Sequence, residues 1–111
     1  MMTKQTIIAA MTNQVAKQLS KGGKCIKIQP KLCEDYYLVY TIEDGALCCY
    51  LLDGDGMNGD RADALTNGQL YTFVDVLLQR VEGAHWRNGN YAKSREVARV
   101  REDIYQALKC N

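Results

Sequence analysis

The segment from 53 to 65 carries the side chains best suited to holding a divalent cation. It offers hard oxygen ligands close together, namely Asp53, Asp55, Asn58, Asp60 and Asp63. A calcium-binding EF-hand loop needs a glycine at its sixth position and a bidentate glutamate at its twelfth. Counted from Asp53, these positions hold Asn58 and Ala64, so the motif fails. We therefore predict no metal site and interpret the segment as a solvated loop rich in turn-forming residues.

Nucleophilic catalysis has a single candidate base. His85 is the only histidine, and it lies beside Trp86 in a polar stretch rather than beside a serine or cysteine motif. The glycines at 54, 56 and 59 lie among aspartates, whose charge repels a phosphate. The sequence thus predicts no catalytic residue, no cofactor and a protein that is not an enzyme.

Charge is segregated along the chain. Residues 1–31 hold six lysines and no carboxylate, residues 32–79 hold nine carboxylates and one arginine, and residues 80–111 hold seven basic and four acidic residues. Such segregation creates local fields that steer partners although the net charge is only +1. No lysine occurs between Lys31 and Lys93, which disfavours a metal-dependent nuclease and a double-stranded RNA-binding domain, because both need lysines on or just after the sheet.

A different nucleic-acid surface stays open as the alternative function. It would combine basic residues near the first helix and strand with basic residues that follow Trp86, a side chain able to stack on a base. The residues are Lys17, Lys21, Lys24, Lys27, Arg87, Lys93 and Arg95. Against it, the acidic middle segment can neutralise these charges within the molecule.

A tight hairpin is the clearest structural signal among the elements that position these side chains. Two apolar runs, 36–42 and 46–52, flank Asp44-Gly45, the preferred chemistry of a two-residue type I′ turn. Pairing Glu43 with Ala46 fixes the register and divides the strands into two faces. One face, the predicted core, carries Leu38, Tyr40, Ile42, Leu47, Cys49 and Leu51. The other carries Tyr37, Val39, Thr41, Cys48, Tyr50 and Leu52.

Helical patterns surround this hairpin. Apolar residues recur at helical spacing before Gly22, and a short strand is expected from Cys25 to Gln29. Thr66 and Gln69 predict a capping box that begins a second helix, which Gly83 is expected to end. Residues 82–90 are then predicted as a loop, and a third helix starts near Lys93.

This element order predicts an α+β fold made of a helix, a three-stranded antiparallel sheet and two helices (αβββαα), with the helices mainly on one face of the sheet. We expect residues 1–111 to form a single domain, since the length suits one and no linker interrupts it. The sequence lacks a signal peptide or membrane span, so a cytoplasmic location is expected. Five cysteines without a CxxC motif disfavour a disulfide scaffold.

These features favour a small, non-catalytic protein-binding domain. Its surface is predicted to combine the second hairpin face with the acidic segment: Tyr37, Val39, Tyr50, Leu52, Asp53, Asp55, Asp60 and Asp63. The partner is another protein or a second copy of the chain, and no membrane is involved. In element order, though in no motif, the layout resembles some small phage-encoded inhibitors of bacterial defence complexes, including inhibitors of RNA-guided nucleases. That resemblance implies an inhibitor or adaptor.

Overall fold

The fold is of the α+β type, with three helices and a four-stranded antiparallel sheet. A computed structural model describes residues 2–31 and 34–109. Residue contacts divide the chain into two compact units, one of Gln5–Leu65 and the other of the segment from Thr66 onward with the first few residues. The prediction of one domain over 1–111, with the helices mainly on one face of the sheet, stays a prediction.

The first unit contains a helix and the sheet. Helix α1 spans Lys4–Leu19 and buries Ile7, Met11 and Val15, which recur every four residues as the apolar stripe predicts. The strands are β1 (Ile26–Ile28), β2 (Tyr37–Glu43), β3 (Ala46–Asp53) and β4 (Gly56–Arg61). They follow one another in the sheet as they do in the chain, and every pair is antiparallel.

The hairpin between β2 and β3 has the predicted register. Glu43 pairs with Ala46, and Asp44 and Gly45 have φ angles of 53° and 79°. Positive φ at both turn residues is the signature of a type I′ turn and explains why aspartate and glycine occupy it. The predicted core face is accordingly buried at Leu38, Tyr40, Leu47 and Cys49.

The prediction of three strands was wrong, because the segment 53–65 is not a loop. It contains β4 and a short 3-10 helix at Ala62–Ala64. A second tight turn begins at Asp53, whose side chain accepts a hydrogen bond from the Asp55 amide at 2.8 Å. Gly56 follows with a φ of 116°, a conformation that residues with a side chain rarely adopt.

The second unit is a pair of helices that pack against each other. Helix α2 spans Asn67–Arg87 and α3 spans Tyr91–Lys109. The predicted capping box is present, since the Gln69 amide donates to the Thr66 hydroxyl at 3.2 Å and the Thr66 amide donates to the Gln69 side chain at 2.9 Å. Gly83 does not end α2, so the stretch predicted as a loop is largely helical.

One arginine ties the two helices together. Arg101 on α3 donates from Nη2 to Asp75 at 2.8 Å and from Nη1 to Glu82 at 2.6 Å, both on α2. All three side chains are partly buried, where a charged hydrogen bond is screened less than at the surface. This link joins α3 to the part of α2 that directly precedes Gly83.

Candidate protein-binding surface

The two faces of the sheet differ in burial. We call the face that includes Leu38, Tyr40, Leu47 and Cys49 the core face. We call the opposite one the outer face. It consists of the positions Lys27, Tyr37, Val39, Thr41, Glu43, Ala46, Cys48, Tyr50, Leu52, Met57, Gly59 and Arg61.

An exposed row of apolar side chains crosses the outer face. Tyr37 pairs with Leu52 and Leu52 pairs with Met57, so the three residues lie side by side on adjacent strands. Directly opposed side chains in a sheet lie about 5 Å apart and contact one another. Tyr37 is 36 % exposed and Met57 is 55 % exposed, while Leu52 between them is half-buried. We call these three residues the apolar row.

Charged residues flank the apolar row on two sides. On β1, the Lys27 ammonium lies 4.3 Å from the centre of the Tyr37 ring, a cation–π contact. On the other side, the turn between β3 and β4 holds Asp53 and Asp55 next to the Leu52–Met57 pair. The row thus combines an apolar strip with an acidic end.

The far end of the outer face is polar and satisfied by its own hydrogen bonds. The Tyr50 hydroxyl donates to Glu43 Oε2 at 2.6 Å, and the Thr41 hydroxyl donates to the same oxygen at 3.0 Å. Hydrogen bonding from Tyr50, and to a smaller degree from Cys48 and Thr41, lowers the pKa of Glu43. The same bond to Glu43 raises the pKa of Tyr50. Tyr50 is therefore fixed within the face.

Gly59 allows the backbones of β3 and β4 to approach each other closely. A Cβ atom at position 59 would stand 2.9 Å from Cδ1 of the Tyr50 ring and 2.6 Å from the Tyr50 Cα, and it would also meet the Cys49 carbonyl oxygen. The glycine is therefore required by packing.

The predicted partner-binding residues occupy different environments. Val39 and Cys48 lie on the outer face but are only 5 % and 3 % exposed, so the prediction that Val39 offers area to a partner was wrong. Tyr37 and Leu52 belong to the apolar row, whereas the Tyr50 hydroxyl is engaged by Glu43.

The predicted acidic residues do not act as one cluster. Asp60 accepts a hydrogen bond from the Arg61 amide at 2.7 Å, and Asp63 pairs with the Arg61 guanidinium at 3.1 Å. Asp53 and Asp55 share the turn between β3 and β4. Within residues 2–31 and 34–109, no group of three carboxylate, histidine or cysteine side chains is placed to hold a metal ion.

The residues of the alternative nucleic-acid surface fall in both units. Lys17, Lys21, Lys24 and Lys27 are exposed in the first unit, and Arg87, Lys93 and Arg95 are exposed in the second.

The end of the helical pair carries an exposed aromatic pair. Trp86 is 60 % exposed and Tyr91 is 49 % exposed, and their ring centres lie 4.6 Å apart in an edge-on arrangement. Trp86 lies in the last turn of α2 rather than in the loop predicted for it. No carboxylate occurs between Gly83 and Arg95, so this tip combines aromatic rings with positive charge.

A small cleft lies between the far ends of the same helices. Its volume is about 200 Å³, which is below the usual size of a ligand pocket. Tyr71 and Tyr105 form its walls with ring centres 5.1 Å apart. The cleft is suited to a single apolar side chain at most.

Sequence reasoning missed Met57 and the contribution of β4. The segment GMNGDR has two glycines and no alternation of apolar and polar residues, so it has no strand signal of its own. A signal did exist in the composition, because Asp53-Gly54-Asp55-Gly56 is a second cluster of turn-forming residues one strand later. A second hairpin would follow from that cluster.

Comparisons with protein-family models, curated proteins and solved structures found no match to this chain. Among the described residues, no helix has the length and apolar character needed to cross a lipid bilayer.

Proposed function

We propose that this protein is a small, non-catalytic binding domain that docks on another protein through the outer face of its sheet. The observation that carries the proposal is the exposed apolar row of Tyr37, Leu52 and Met57, aligned by strand register. Aromatic residues and methionine are enriched at protein interfaces, and they bind best when they are held in place before the partner arrives. The strand pairing of β2, β3 and β4 that carries the row provides that rigidity.

The acidic end of the row defines the kind of partner. Asp53 and Asp55 favour a protein that places lysine or arginine beside an apolar anchor. A second copy of the chain is the less favoured partner, because it carries the same acidic turn and so offers less charge complementarity. Blocking a basic groove on a larger cytoplasmic protein is the role of an inhibitor or adaptor, and that role is part of this proposal.

The test is affinity capture from the native host with paired variants. Tyr37→Ser combined with Met57→Ser removes the exposed side chains of the row and leaves the core face unchanged. The matched control is Val100→Ser, which removes a comparably exposed apolar side chain from α3. We expect the captured protein to be lost with the double variant and retained with the control, because truncating central anchors weakens binding by about tenfold or more.

Two measurements decide whether that outcome supports the proposal. Circular dichroism must give the same melting temperature for both variants, so that lost capture reflects the surface and not the fold. Sedimentation of the purified protein over a range of concentrations separates the two kinds of partner. Retention of the same captured protein by the double variant would refute the role of the outer face.

A second candidate function is supported by the aromatic tip. Trp86 and Tyr91 offer exposed rings beside Arg87 and Lys93, the combination that binds single-stranded nucleic acid by base stacking and phosphate contacts. Trp86 is the only tryptophan, so its fluorescence reports binding at that position.

Titration with a single-stranded oligonucleotide tests this candidate. We expect quenching of the Trp86 emission at low salt and a steep loss of affinity near about 150 mM salt, since phosphate binding releases counterions. Replacing Arg87 and Lys93 with glutamine should weaken binding. Unchanged emission at low salt would eliminate the candidate without affecting the outer face.

A further inference from the structure

The two edges of the sheet are protected to very different degrees. Strand β1 is only three residues long, has the exposed Lys27 at its centre and is followed by Pro30. Short edge strands, lysine and proline are the usual devices that prevent another strand from pairing with an edge. Strand β4 has six residues, all of them exposed, and contains neither lysine nor proline. The β4 edge is therefore the accessible one.

Register identifies the backbone groups that this edge presents. Glu43–Ala46 and Asp53–Gly56 each close a two-residue turn, and such closing pairs are hydrogen-bonded. Because bonded and non-bonded pairs alternate along an antiparallel ladder, Gly56, Asn58 and Asp60 direct their backbone groups toward β3. Met57, Gly59 and Arg61 direct theirs away from the sheet.

Two of these outward positions keep their backbone groups available. The Arg61 amide already donates to its neighbour Asp60. For Met57 and Gly59, no backbone hydrogen bond outside the ladder occurs in the part of the chain that the structure describes. Gly59 also has no side chain to obstruct an approaching strand, so the centre of the edge is open.

Charge selects the strand that fits. The hairpin of β3 and β4 contains Asp53, Asp55 and Asp60, and its one cation, Arg61, is paired with Asp63. A second copy of β4 would add further carboxylates along the same edge. A segment bearing lysine or arginine gains attraction instead, and like charges on adjacent strands are destabilising.

We propose that the β4 edge binds a basic, extended segment of the partner protein by adding it to the sheet as a fifth strand. Backbone groups of Met57 and Gly59 bond the added strand, the Met57 side chain contacts an apolar residue of it, and Asp55 and Asp60 contact its basic residues. This inference rests on the proposed function and defines the partner of the same surface. The added strand places an apolar residue next to Met57 and so extends the apolar row by one strand.

Synthetic peptides test this mode with the full chain. The probe is a labelled peptide of alternating lysine and valine, measured at about 150 mM salt so that non-specific attraction is screened. One control has the same sequence with N-methyl groups on alternate residues, which keeps the charge and blocks strand pairing. A second control carries glutamate in place of lysine. We expect binding of the probe and at least about a tenfold loss with either control.

Amide exchange followed by nuclear magnetic resonance locates the contact. We expect the Met57 and Gly59 amides to exchange more slowly when the probe is bound, with the β1 edge unchanged. Asp55→Asn combined with Asp60→Asn should weaken binding, and Glu102→Gln combined with Asp103→Asn on α3 is the matched control. Equal binding of the N-methylated peptide, or unprotected Met57 and Gly59 amides, would overturn strand addition.

The outcome separates this inference from the proposed function. If the protein captured from the host depends on Tyr37 but leaves the Met57 and Gly59 amides unprotected, the outer face is a binding surface and strand addition is wrong. If capture does not depend on Tyr37 while the basic peptide protects those amides, strand addition stands and the role of the apolar row falls.

Discussion

Two tyrosines three residues apart on β2 have opposite environments. Tyr40 on the core face is fully buried, whereas Tyr37 on the outer face is 36 % exposed. Their residue type is the same, and both lie in the same strand. The difference comes from the turn at Asp44-Gly45, because a register shifted by one residue would exchange the two faces. The hairpin turn therefore decides which apolar residues are available to a partner.

The largest expected difference between the faces is in stability. Leu38→Ala removes a side chain that is buried in the core face, and such a cavity costs about 2–5 kcal/mol. Leu52→Ala removes the same atoms from the outer face, where the side chain is half-exposed, and should cost about 1 kcal/mol or less. Urea unfolding of the two variants measures both values. Equal losses would mean that the outer face is also core.

A smaller effect is expected where the outer face meets β4. Gly59→Ala places a Cβ against the Tyr50 ring and the backbone of β3, so overpacking should cost about 1–3 kcal/mol. Gly68→Ala is the matched control, since no atom lies within 4 Å of its added Cβ and it lies in the first turn of α2. Thermal unfolding should show a lower melting temperature for the first variant only. A neutral Gly59→Ala would contradict the close approach of Tyr50.

The smallest effect concerns pH at the polar end of the outer face. Hydrogen bonds from Tyr50, Cys48 and Thr41 lower the pKa of Glu43 in the folded protein. Their contribution is therefore present above the ordinary glutamate pKa, about 4.3, and is lost as the pH falls through the lowered folded value. Glu43→Gln should melt below the wild type near neutral pH.

The melting temperatures of wild type and Glu43→Gln should converge in acid, because protonated Glu43 is a neutral and weaker acceptor, as glutamine is. Melting temperatures from neutral pH down to about pH 2 test this expectation. Tyr50→Phe should reduce the pH dependence, and Tyr91→Phe in α3, whose ring contacts Trp86, should leave it unchanged. A constant gap between wild type and Glu43→Gln at every pH would show that the hydrogen bonds to the carboxylate contribute nothing.

The features that the sequence predicted correctly depend on residues close together in the chain. The type I′ turn, the capping box and the apolar stripe of α1 each depend on residues within a few positions of one another. Turn chemistry and side-chain periodicity determine such features before any distant contact forms. The core face followed from the turn, and with it the exposure of Tyr37.

Two features depended on contacts that a local reading does not contain. Strand β4 has weak strand propensity and exists because β3 offers it a paired edge after a second tight turn. Helix α2 continues past Gly83, a residue that costs a helix about 1 kcal/mol, where packing with α3 supports it. The sequence therefore did not predict that Met57 lies in a strand or that Trp86 lies in a helix.

The guanidinium of Arg101 has a consequence for how the helical pair can move. Asp75 and Glu82 lie seven residues apart, or about 10.5 Å along the axis of α2. The one guanidinium group of Arg101 bonds both carboxylates. Sliding α3 by one helical turn, about 5.4 Å, would therefore break at least one of the two ion pairs. The alignment of the two helices therefore has one preferred setting, and rotation or ratcheting between neighbouring settings is penalised.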